Sequence, residues 1–82
     1  MKTITGGQVR AARALLKISA ETIAKSANIG IATVRRSEAD DGPVTMTKAN
    51  ALALQTALET AGIEFIAENG GGVGVRLIEK GK

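Results

Sequence analysis

The chain has 82 residues, room for one domain, with a formal net charge of +3, no cysteine, no histidine and one aromatic residue, Phe65. These counts exclude disulfide staples and thiolate metal sites, remove the commonest general base and metal ligand, and leave no aromatic platform for stacking single-stranded nucleic acid. The charge is uneven: up to Arg36 there are seven basic residues and one acidic, and from Ser37 onward four basic and seven acidic. Either the first half faces a polyanion or this is the ordinary asymmetry of a solvated helical surface.

No apolar run approaches the length of a membrane span, and the start, MKTITGGQVR, lacks the apolar stretch of a secretory signal. The expectation is a soluble cytoplasmic protein without cofactors. A domain of this size buries only about 60% of its unfolded-chain surface, so a partner subunit is expected to add stability.

Four helical patterns and two strand-like runs follow in order. Thr5 can cap a helix over residues 6–17, with Val9, Ala12, Leu15 and Leu16 as its buried stripe and Arg10, Arg13 and Lys17 on another face. Ser19 can cap a second helix over residues 20–27, with Ile23, Ala24 and Ala27 inward. Asn28 then tolerates the left-handed conformation a reversal needs, Ile29 anchors, and Gly30 opens a third helix over residues 31–39 with Val34 as core. Asp40, Asp41, Gly42 and Pro43 break the chain, the two aspartates being read as turn chemistry and not as a catalytic pair.

Thr45 or Thr47 caps a fourth helix that runs to residue 61. Leu54, Leu58 and Ala61 form its inner side, Ala51 lies a turn earlier, and Leu52 widens the stripe. Gly62 is placed to end it. The period then changes to two, with Ile63, Phe65 and Ala67 alternating before a turn at residues 68–72, and Val73, Val75 and Leu77 alternating after it. That is a β-hairpin pattern. Residues 70–72 are glycines, but no helix and no Lys-Ser/Thr follows, so a turn is read and not a phosphate cradle. Residues 79–82 are expected to fray.

Residues 20–39, AETIAKSANIGIATVRRSEA, have the spacing of a helix-turn-helix. Ala24 is small where the helices cross, Asn28 fits the turn, Ile29 plugs the gap, and Val34 points back. These residues resemble the helix-turn-helix of the lambda-repressor and Cro-like family, also called the xenobiotic-response-element family of regulators. QVRAARALLKIS resembles that family's first helix, and TVRRSE the end of its recognition helix. The ending EFIAENGGGVGVRL is similar to that of many compact bacterial regulators of the group. Asn28 stands where the family usually has Gly, Gly30 where it usually has Ser, and Ser37 where a larger apolar residue is common and packs more tightly. The hairpin takes the place of the usual last helix. The resemblance implies a mainly α, four-helix domain with a short C-terminal hairpin. It also implies a sequence-specific transcription regulator, such as a repressor, that inserts its third helix into the major groove of double-stranded DNA.

On that expectation Gly30, Ile31, Ala32, Thr33, Arg35 and Arg36 lie nearest the base edges, because the N-terminal part of such a helix reaches them. An arginine can grip guanine through two hydrogen bonds. Arg35 and Arg36 point about 100° apart, so one is expected on a base and the other on a phosphate. The alternative is an ordinary solvated face paired with Glu38 or Asp40. Lys17, Ser19 and Lys25 are candidates for phosphate contact, with Arg10 and Arg13 behind them. A homodimer on a palindromic site is expected, with Leu58, Ile63, Phe65, Ile66, Val73, Val75 and Leu77 as its interface, unless these side chains simply close the monomer core. A second functional reading is an antitoxin or anti-activator whose C-terminal half binds a protein partner. An enzyme is not expected.

Overall fold

The computed structural model describes residues 3–78, so residues 79–82 with their expected fraying lie outside the described residues. Four helices and one hairpin follow in order: α1 (Gly6–Leu16), α2 (Ala20–Ala27), α3 (Ile31–Glu38), α4 (Lys48–Thr60), β1 (Ile63–Ile66) and β2 (Gly74–Leu77). The chain is mainly α with a short C-terminal hairpin, as its periodicity requires.

Each helix begins where a hydroxyl can take an orphan N–H, except α3. Thr5, Ser19 and Thr47 accept from the backbone of Gln8, Thr22 and Asn50. Of the two candidate caps for α4, Thr47 is the one used. At α1 the cap is reciprocal: the Gln8 side chain accepts the Thr5 N–H at 2.9 Å, while Thr5 Oγ1 accepts the Gln8 N–H at 3.1 Å.

The core is a single cluster whose largest fully buried members are Ile4, Val9, Ile23, Val34, Leu54, Leu58 and Ile63. It gathers all four helices, the first strand and the segment before α1. That leading segment is held by its backbone: Val44 N–H donates to Ile4 O at 3.0 Å and Gly6 N–H to Gly42 O at 2.9 Å. Ile4 and Val44 thereby enter the core together.

Three apolar positions differ from the helical-stripe expectation. Leu15, Leu52 and Ala61 are exposed, Leu52 to 63%. Leu15 and Ala61 lie at the margin of their stripes, where a neighbour one turn earlier (Ala12, Leu58) occupies the interior, and Leu52 lies two residues before the buried Leu54, on the far side of α4. Leu52 borders a shallow groove of about 670 Å³ between α2 and α4, walled mainly by Ala49, Ala53, Thr56 and Ala57.

The hairpin pairs Ile63↔Leu77, Glu64↔Arg76, Phe65↔Val75 and Ile66↔Gly74. Ile63, Phe65 and Val75 pack on the helical core, and Glu64 and Arg76 form an ion pair at 2.9 Å on the other face. A lone hairpin is marginal in water, so this packing is what holds it. Gln8 adds a second tie, its Nε2 donating to Gly74 O at 2.9 Å. Gly62 ends α4 with φ 119°, a conformation that disfavours any residue with a Cβ. In the turn, Glu68 Oε2 accepts the N–H groups of Gly70 and Gly72 at 2.9 and 3.2 Å.

Candidate nucleic-acid interface

The site is built on α2, its turn and α3. Asn28 closes α2 in the left-handed conformation, φ 58° and ψ 46°, as the reversal requires. Its own N–H and that of Ile29 turn back to Lys25 O and Ala24 O at 3.1 and 3.0 Å, which satisfies carbonyls that the helix end would otherwise orphan. Ile29 packs against the core. Ala24 is buried, and so are Ile23, Ala27 and Val34. The turn thus sets α3 on α2 by small apolar contacts.

Helix α3 divides into two faces. Val34, Ser37 and Glu38 are buried, Ile31 and Thr33 are half-buried, and Ala32, Arg35 and Arg36 are exposed. The positions 32, 35 and 36 follow helical spacing, so they form one outward stripe. Gly30 caps α3 without a side-chain hydrogen bond, so no side chain covers the N–H groups of its first turn.

The buried face of α3 is anchored by charge. Arg13 holds Glu38 through two bonds, Nε to Oε2 at 2.6 Å and a terminal nitrogen to Oε1 at 2.7 Å, and donates a third to Ile18 O at 3.0 Å. The hydrogen bond to Glu38 raises the Arg13 pKa above its ordinary value; partial burial opposes the shift and the carboxylate charge adds to it. Arg10 bonds the Glu38 carbonyl and pairs with Asp41. Ser37 stands on the packed side of α3, where the resemblance would put a larger apolar residue. It is buried, and its hydroxyl donates to Val34 O at 2.7 Å. Facing that end of α3, Gly6 is the residue of closest approach: a Cβ there would overlap the carbonyl oxygens of Asp40 and Ser37.

This arrangement revises the basic half of the chain. Arg10 and Arg13, expected as secondary phosphate contacts, are both paired, Arg13 inward with the buried Glu38 and Arg10 at the surface with the exposed Asp41. The alternative pairing of Arg35 or Arg36 with Glu38 or Asp40 does not form: Glu38 belongs to Arg13, and Asp40 Oδ1 accepts the Gly42 N–H at 3.1 Å. Among the described residues Lys17, Lys25, Arg35 and Arg36 are exposed and make no ion pair. Lys17 is the C-cap of α1, with φ 57°, and stands two residues before Ser19, the N-cap of α2. The Ser19 hydroxyl already caps Thr22. Lys25 lies in the last turn of α2.

The expected interface residues fall into two groups. Leu58 and Ile63 are fully buried inside the protomer and offer no surface to another chain, because both fill the space between α4, β1 and the remaining helices. Phe65, Ile66 and Val75 are half-buried, whereas Val73 and Leu77 are exposed. Sequence reasoning misses Gln8, although Thr5-Gly6-Gly7-Gln8 carries the capping-box spacing that signals it.

No helix among the described residues is long and apolar enough to cross a membrane. No protein-family model and no curated protein matches the chain.

Proposed function

We propose that the protein is a sequence-specific double-stranded DNA-binding regulator that lays α3 in the major groove and acts as a homodimer on a palindromic site. One observation carries the reading: α3 presents Arg35 and Arg36 outward and unpaired, while its opposite face is locked by Val34, Ser37 and the Arg13–Glu38 clasp. A helix that must read base edges needs free donors on one side and a fixed orientation from the other. A helix that serves only as packing does not need the first.

In this reading Arg35 or Arg36 forks onto a guanine edge and its neighbour takes a phosphate. Ala32 and Ile31 approach thymine methyl groups, and Thr33 bonds a base or phosphate. Gly30 lets the backbone come close. Lys17 and Lys25 hold phosphates, and Ser19, itself exposed, contacts the phosphate backbone with them. The protein binds and carries no catalytic role. The molecule measures 33 × 30 × 20 Å, so two abutting copies separate equivalent helices on the scale of one DNA turn, about 34 Å.

Selection from random double-stranded DNA at fixed ionic strength tests the reading. Enrichment of a two-fold symmetric site supports it. Retention that is indifferent to sequence, or no retention, overturns it.

A further inference from the structure

The turn at residues 68–72, ENGGG, joins β1 to β2, lies outside both strands and is exposed throughout. Glu68 folds back over it. Its Oε2 accepts the N–H of Gly70 at 2.9 Å and that of Gly72 at 3.2 Å. Asn69 Oδ1 accepts the N–H of Gly71 at 3.2 Å. A carboxylate, a carboxamide and a backbone nitrogen are thereby gathered around one peptide bond, Asn69–Gly70.

These groups are the parts of an intramolecular acyl transfer. A backbone nitrogen one residue after an asparagine is tethered to that side chain's carbonyl carbon, so attack carries no cost of bringing two molecules together. Two things ordinarily slow it. A side chain on the following residue crowds the nitrogen, and an amide N–H is too weakly acidic to give up its proton without a base. Neither obstacle stands here. Gly70 has no Cβ, and the space where one would stand is open. Its nitrogen already donates to a carboxylate, and the Gly71 N–H on Oδ1 is placed to stabilise negative charge developing on that oxygen. The other two asparagines lack this setting. Asn28 precedes the β-branched Ile29, whose N–H is tied to Ala24 O at 3.0 Å, and Asn50 lies inside α4, with the Ala51 N–H on Thr47 O at 2.9 Å. Asp41 also precedes a glycine, but its carboxylate pairs with Arg10 and it has no amide nitrogen to expel.

We propose that Asn69 is a site of self-modification, deamidated by its own turn with Glu68 as the general base. The Gly70 nitrogen bonds to Cγ of Asn69 and passes its proton to Glu68 Oε2. The bond from Cγ to Nδ2 breaks, and that nitrogen leaves as ammonia with the proton that Glu68 returns. Water then opens the resulting succinimide ring at either carbonyl, leaving an aspartate or an isoaspartate at position 69. The formal net charge falls by one from +3. The strand pairs from Ile63↔Leu77 to Ile66↔Gly74 lie outside the turn, and Ile63, Phe65 and Val75 stay packed on the core, so the fold is kept. The inference goes beyond the DNA reading and does not depend on it.

Incubating the purified chain in warm, mildly alkaline buffer tests the site. Peptide mass mapping should find the exchange of –NH2 for –OH at Asn69 and not at Asn28 or Asn50. The same chain unfolded in guanidinium keeps its sequence but releases Glu68 from the turn. The folded protein should react about tenfold faster than the unfolded chain, less than the roughly hundredfold or more of a base enclosed in an enzyme site, because this turn is open to water. Glu68→Gln keeps an acceptor oxygen but removes the base. Its circular dichroism should match the parent, and its folded rate should fall to that of the unfolded chain. Modification spread over all three asparagines, a folded rate at or below the unfolded one, or a folded Glu68→Gln protein that reacts as fast as the parent overturns the proposal. The comparison of folded with unfolded parent needs no variant, so it decides the matter should Glu68→Gln fail to fold.

Discussion

Arg13 on α1 and Glu38 at the end of α3 are joined by two hydrogen bonds of 2.6 and 2.7 Å, and the same guanidinium reaches the Ile18 carbonyl ahead of α2. One side chain thus fixes the distal end of α3 to α1 and to the entry of α2. Glu38 is only 9% exposed, so its charge has few alternatives to this partner.

Removing the arginine should therefore cost more than removing a surface charge. Arg13→Ala leaves a buried carboxylate unpaired and is expected to destabilise by about 3 kcal/mol, against about 1 kcal/mol or less for an exposed pair such as Glu64–Arg76. Urea unfolding of Arg13→Ala and Arg76→Ala measures the difference. The Arg13 pKa is raised in the folded state, so its contribution is fully present below the unfolded pKa and is lost only as pH rises through the folded value, in strong alkali. The cost of Arg13→Ala should accordingly be unchanged between neutral and mildly alkaline buffer.

Gly6 faces the same end of α3. Gly6→Ala should destabilise strongly, by about 2 kcal/mol or more, because the obstruction is the backbone carbonyls of Ser37 and Asp40 and no flexible side chain can yield. Thermal unfolding checks it. A melting point unchanged from the parent would show that α3 and α1 do not approach so closely.

Much of this architecture is legible in the residues, and the exceptions share a cause. The caps Thr5 and Ser19, the left-handed Asn28 and the buried Val34 follow from local spacing. Both strands also fall where the period changes to two. By contrast, the partners of Arg10 and Arg13, Asp41 and Glu38, are 31 and 25 residues away, so neither the exposed pair nor the buried one can be read from local spacing. Helical spacing places Leu58 on the inner side of α4, but spacing alone does not tell whether that side, or Ile63 after it, meets the same chain or another; the tertiary packing puts both inside. The outward stripe of α3 is readable from helical spacing, but its freedom from ion pairing depends on where Glu38 goes.

Lys17 separates stability from binding. Its left-handed φ of 57° strains a residue with a Cβ. Lys17→Gly should raise stability by about 0.5–1 kcal/mol after the entropy of the unfolded glycine is counted. If Lys17 holds a phosphate, the same variant lowers DNA affinity and makes the salt slope shallower by about one unit, the share of a single neutralised phosphate. A stabilised variant with parental affinity would remove Lys17 from the interface.

Gln8 links the helical body to the hairpin. Gln8→Ala removes both the Thr5 N–H acceptor and the donor to Gly74 O, and is expected to cost about 1–3 kcal/mol. Amide hydrogen exchange should show faster exchange in residues 63–66 and 74–77. Unchanged protection there would mean that core packing alone holds the sheet.

The most direct test of the central claim is titration of the selected DNA site with the parent, Arg35→Ala and Arg36→Ala across a series of salt concentrations. The account predicts that both variants remain folded and bind more weakly. One should lose about 1–3 kcal/mol and its preference at one base pair, while the other loses affinity uniformly with a shallower salt slope. Parental affinity, specificity and salt slope in both variants would contradict it.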